Sequence, residues 1–93
     1  MAIPTRRFDT AEHLETREEI AAYLEAVFAE NDPALISHAL GVVARAKGMT
    51  EVAREAGLTR ASLYKALSDD GNPAFSTVLS VIQALGLSLK VAR

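Results

Sequence analysis

The chain contains no cysteine, which removes disulfide staples, thiolate nucleophiles and thiolate metal sites together and favours a reducing compartment such as the cytosol. Long apolar runs are missing too. None approaches the ~18 residues needed to cross a bilayer, and the basic pair Arg6-Arg7 is followed by no apolar run of signal-peptide type. A soluble cytoplasmic protein without a membrane partner is expected. The two histidines, His13 and His38, lie on different segments with no second ligand at metal spacing, whereas a zinc site needs about four converging donors. Ser62 has no histidine placed to act as its base, and the five glycines form no phosphate-cradling loop. No catalytic, cofactor-binding or metal-ligating residues are therefore assigned, and no enzyme is expected.

What remains is 93 residues, 49% hydrophobic and 24% charged, room for one domain over 1–93 and one core. A chain this short hides only ~60 to 65% of its unfolded surface, so association with a second copy or another protein would add useful stability. The net charge of -2 conceals a segregation of sign. Residues 1–40 carry three arginines against eight acids; residues 41–67 carry Arg45, Lys47, Arg54, Arg60 and Lys65 against Glu51 and Glu55; the remainder is neutral. An acidic arm precedes a basic middle.

Caps and apolar spacing predict five helices, because helix ends leave backbone groups unpaired that certain residues satisfy. Thr16-Arg17-Glu18-Glu19 is a capping box, followed at helical spacing by Ile20, Leu24, Val27 and Phe28, which predicts a helix over about 17–30. Tyr23 and Phe28 read first as core. Asn31-Asp32-Pro33 opens a second helix over about 33–47 with an apolar stripe of Leu35, Ile36, Leu40, Val43 and Ala44, ended by Gly48 in the left-handed conformation. His38 reads as a polar position on it. Thr50 is expected to cap a short helix at about 51–56 stopped by Gly57, and Thr59 the next at about 60–67. After the turn-forming Asp69-Asp70-Gly71-Asn72-Pro73, Ser76 is expected to cap a last helix bearing Val78, Leu79, Ile82 and Leu85, closed by Gly86. Residues 1–15 form an N-terminal arm, in which Phe8 and Leu14 can dock on the body. The tail Leu87-Ser88-Leu89-Lys90-Val91 alternates apolar and polar, which predicts a strand over 87–91.

Residues 49–68 have the pattern of a helix-turn-helix. Ala53 is small where the two helices would touch, Gly57 supplies positive φ in the turn, and Val52, Leu58, Leu63 and Leu67 point inward. Thr59, Arg60, Ala61, Tyr64 and Lys65 then occupy the outer face of the second helix. Such a face suits the major groove of DNA: Arg60 can pair with guanine and Ala61 can touch a thymine methyl. Thr50 and Ser62 can donate to phosphates, and Arg45, Lys47 and Arg54 lie where a DNA backbone would pass. Tyr64 either meets the sugar-phosphate backbone or covers the core edge. Read blandly, the same residues are a capped, solvated surface.

The stretch Val52 to Leu67, with Gly71-Asn72-Pro73 and Leu85-Gly86-Leu87, resembles the Xre/Cro-type, lambda-repressor-like fold. More narrowly, with Phe8 to Leu14, Ile20 to Ala26 and Asp32-Pro33-Ala34, the chain is similar to the HigA-like addiction-module antidotes, the antitoxins of type II toxin/antitoxin operons. The resemblance implies an all-α protein that binds a RelE/ParE-superfamily toxin and represses its own operon by binding operator DNA. The acidic arm is compatible with a basic, RNA-binding partner. A strand at 87–91 needs a partner for its N–H and C=O groups, either the segment around Phe8 or the tail of a second copy, so a homodimer is expected. Two alternatives stand beside this reading: a stand-alone phage-like repressor, and a protein-interaction module whose helix-turn-helix does not touch DNA.

Overall fold

The computed structural model describes residues 15–91, so the readings at Phe8, His13 and Leu14 and the rest of the arm up to residue 14 lie outside the described residues. Within them the chain is all-α: α1 (Arg17–Phe28), α2 (Pro33–Lys47), α3 (Met49–Ala56), α4 (Arg60–Ala66) and α5 (Phe75–Ala84).

Local chemistry explains most of the boundaries. The Glu19 amide donates to Thr16 Oγ1 at 3.0 Å while Glu19 Oε1 accepts from the amides of Thr16 and Glu15, also at 3.0 Å, so three free donors at the start of α1 are satisfied. Behind this box Ile20, Leu24 and Val27 bury one stripe. The Asp32 carboxylate accepts from the amides of Ala34 and Leu35, and Pro33 occupies a position whose missing N–H costs nothing. α2 buries Ser37, Ala39, Leu40, Gly41, Val43 and Ala44 along one broad side and leaves His38 and Arg45 exposed on the other. α1 packs on α2, whereas α3 meets α2, α4 and α5. Leu40, Val43, Val52, Leu63 and Val81 are the largest fully enclosed side chains, each worth ~1.5 to 3 kcal/mol relative to exposure.

Four details differ from the sequence-based expectation. Gly48 has positive φ, but with φ 120° and ψ 110° it lies outside the left-handed helical region, because it serves simultaneously as the end of α2 and the start of α3. Thr50 does not cap α3. Met49 is drawn into the core, so the helix begins two residues earlier than expected and its first bond runs from the Val52 amide to the Gly48 carbonyl. Ser76 likewise lies inside α5, which starts after Ala74 with no side-chain cap; its first residues are exposed and water can satisfy their amides.

The fourth difference is the strand over 87–91, and no strand occurs among the described residues. The Leu87 amide donates to the Ile82 carbonyl and the Gly86 amide to Gln83, so Leu87 completes the C-terminal turn of α5 instead of opening a ladder. Ser88 to Val91 are exposed, and no described segment lies alongside to pair with them.

Gly71 is fixed by close approach. A Cβ there would collide with the carbonyls of Lys65 and Ala66 at the end of α4, so the turn into α5 requires glycine.

Candidate nucleic-acid interface

α3 ends at Gly57 (φ 77°, ψ 27°), where the Gly57 amide donates to the Arg54 carbonyl and the Leu58 amide to Ala53. This pair of bonds is the Schellman motif, and Leu58, half-buried against the core, supplies its apolar contact. One residue later Thr59 caps α4, so only three residues separate the helices. Val52 and Ala53 on one side and Leu63 and Leu67 on the other are buried, which fixes how the pair sits.

The inward stripe leaves a definite outer face. Thr50, Thr59, Arg60, Ala61, Ser62, Tyr64 and Lys65 are all exposed, as are Arg45, Lys47 and Arg54. They are not equivalent. The Thr59 hydroxyl accepts from the Ser62 amide at 3.0 Å and donates to Ser62 Oγ at 2.8 Å, so it is occupied in capping. Ser62 accepts that bond and keeps its own hydrogen available. Arg60 is tethered on both sides: Nη1 donates to Thr50 Oγ1 at 3.1 Å, Nη2 to the Tyr64 hydroxyl at 3.4 Å, and its guanidinium carbon lies 5.5 Å from the Tyr64 ring centroid. Tyr64 is 42% exposed, so its ring lies on the outer face rather than sealing the core edge. Ala61 and Lys65 flank the tethered arginine along α4, and neither side chain has a polar partner among the described residues.

The link between Thr50 and Arg60 was not legible from the sequence, since ten residues and a turn separate them; Arg60 and Tyr64, one helical turn apart, carried the only available signal. Outside this face, His38 Nδ1 lies 3.7 Å from Asp69 Oδ1, a contact between exposed groups. Tyr23 packs half-buried against the core, and burial pushes its phenol above the ordinary value of 10.0. Phe28 packs there too. Phe75 is an exposed aromatic that sequence patterning did not single out. Among the described residues no group of three or more His, Asp or Glu side chains is placed to hold a metal ion, and no helix is long and apolar enough to cross a membrane.

Residues 4–93 match the family model described as "Probable addiction module antidote protein". The chain belongs to that antidote family. A protein of Haemophilus influenzae (strain ATCC 51907 / DSM 11121 / KW20 / Rd), described as an uncharacterized protein, is 51% identical over 84 residues, covering 90% of this chain and 87% of the relative. No solved structure matches. Membership in an antidote family points to a regulatory rather than an enzymatic role, and implies a cognate toxin as partner.

Proposed function

We propose that this antidote is a HigA-like antitoxin of the Xre/Cro type that acts in the cytoplasm in two ways: it binds a toxin of the RelE/ParE superfamily, and it represses its own operon by sequence-specific binding to operator DNA. In this reading α3, the Gly57–Thr59 turn and α4 form a helix-turn-helix. α4 lies in the major groove, with Arg60 and Ala61 facing base edges, and Thr50, Ser62, Tyr64 and Lys65 near the sugar-phosphate backbone or assisting Arg60. Thr59 contributes through its cap.

The observation that carries the reading is the division of α4 into two faces, Leu63 buried with Leu67 just beyond the helix, and every polar or charged residue of the opposite face exposed. Nothing among the described residues covers that face. The positive middle of the chain lies on and beside it, so the acidic total does not describe the surface that would meet DNA. Two copies on one operator would present two such helices about 34 Å apart to inverted half-sites. The exposed apolar side chains of Leu89 and Val91 are available to join two tails in that dimer.

Two measurements test the proposal. A mobility shift with the chain's own promoter should show binding that weakens steeply with salt, and co-expression with the neighbouring gene product should yield a complex on purification. Absence of a shift removes the repressor half; absence of a complex with a toxin-active neighbour removes the antitoxin half. Retention of operator binding and of the complex after deletion of residues 1–15 would remove the arm from both.

A further inference from the structure

We propose that Thr50 and Tyr64 are positioning residues that hold Arg60 as a reader of guanine in duplex DNA. The inference rests on the DNA-binding reading above and assigns it a ligand. Arg60 is the first residue of α4, while its two tethers stand on different elements: Thr50 in the first turn of α3, Tyr64 one turn further along α4. A long, exposed arginine ordinarily samples many rotamers, and fixing them on binding costs entropy. Here two hydroxyls and an aromatic face restrict the guanidinium before any ligand arrives, which is preorganisation.

The donor count identifies what the cluster fits. A guanidinium has five N–H donors and no acceptor. Two are engaged by Thr50 and Tyr64, which leaves three. Both hydroxyl oxygens accept from Arg60, so their own hydrogens remain free to donate as well. No carboxylate among the described residues pairs with Arg60, and its charge is therefore uncompensated on the outer face. A planar fork of donors is satisfied by an edge presenting two adjacent acceptors. In the major groove guanine alone does so, with N7 and O6; adenine and cytosine offer an amino donor, and thymine has one acceptor beside a methyl group. A phosphate also accepts an arginine fork, and loss of guanine N7 separates the two: contact with phosphate alone would leave every deazaguanine duplex bound as tightly as its parent.

The test uses the full chain and a duplex of its own promoter in which each guanine is replaced in turn by 7-deazaguanine, a change that removes only the N7 acceptor. Affinities are measured by fluorescence anisotropy for the wild type, Arg60→Ala, Tyr64→Phe and Thr50→Val. One guanine per half-site should weaken wild-type binding roughly tenfold when replaced, and the same replacement should leave Arg60→Ala unaffected. Tyr64→Phe and Thr50→Val should each shrink the guanine-to-deazaguanine ratio toward one, while unfolding temperature and affinity for an unrelated duplex stay at wild-type values, which a merely structural role would not produce. The proposal is overturned if Arg60→Ala keeps the wild-type ratio, if no guanine matters so that Arg60 meets phosphate only, or if both hydroxyl variants retain the full ratio. A wild-type chain that binds neither the promoter nor the unrelated duplex overturns the DNA-binding reading itself, whereas a wild type that binds without regard to N7 overturns this inference alone.

Discussion

α3 and α5 end with the same device and lead to opposite structures. Each stops at a glycine in the left-handed region, Gly57 at φ 77° and Gly86 at φ 81°. In each, the glycine amide and the next amide turn back onto the helix, and a half-buried leucine, Leu58 or Leu87, packs beneath the turn. After Gly57 the chain re-enters a helix within three residues; after Gly86 no further described element follows, and Ser88 to Val91 are exposed. The cap sets the direction of departure, and the residues beyond it decide whether another element forms. Thr59 supplies a hydroxyl that accepts from the Ser62 amide, and Leu63 and Leu67, four apart, give α4 and its end a stripe to bury. Leu87, Leu89 and Val91, two apart, would need a second strand, and none stands beside them among the described residues.

The largest effect should separate the two continuations. Leu63→Ala empties a fully enclosed site and should lower stability by about 2 to 5 kcal/mol, while Leu89→Ala should change it by less than about 0.5 kcal/mol, both read from chemical denaturation. Equal losses would mean that the tail is packed as tightly as α4.

The two glycines offer a sharper comparison. Gly57→Ala and Gly86→Ala each force a side chain into the left-handed region, at about 1 to 2 kcal/mol. A Cβ at Gly57 meets nothing, whereas at Gly86 it comes within 3.3 Å of Arg17 Nε, the movable end of a side chain. Similar losses are expected in melting experiments, and under the proposed DNA-binding role promoter affinity should fall further only in Gly57→Ala, because its turn orients α4.

Removing the Thr59 cap comes next. Thr59→Ala should destabilise by about 1 kcal/mol, and Thr59→Ser, which keeps the hydroxyl, should restore most of it in the same melting assay.

The smallest expected effect is a pH dependence on the α1 side. Burial raises the Tyr23 phenol above its ordinary 10.0, so the folded chain holds that proton more tightly than the unfolded chain. The resulting stability is present below pH 10.0 and is lost as pH rises through the raised folded value. Tyr23→Phe should flatten this alkaline decline in denaturation midpoints measured above about pH 9; an unchanged slope would assign the decline to other groups.

Much of this architecture was written in short-range chemistry. The capping box at Thr16, Asp32-Pro33, Gly57 and Thr59 are rules acting over four or five residues, and each appears in the structure where the sequence put it. Expectations failed where a distant partner outweighed a local rule. Thr50 was a plausible cap until Met49 was pulled into the core, and Leu87 to Val91 had the period of a strand but no neighbouring edge. The outer face of α4 was legible from the helical period; the tethering of Arg60 was not, because one of its partners arrives from a different helix.

The sequence alone determined the five helices among the described residues, the inward stripe of α1 and the identity of the side chains left on the outside of α4, since caps and periodicity act through neighbours along the chain; the burial of Met49 and Val81 was set by packing. Only the tertiary structure decided what those outer side chains do to one another. Packing α3 against α4 through Val52, Ala53 and Leu63 brings Thr50 to Arg60 and turns an unrestrained arginine into a held one, through a contact that no local rule encodes.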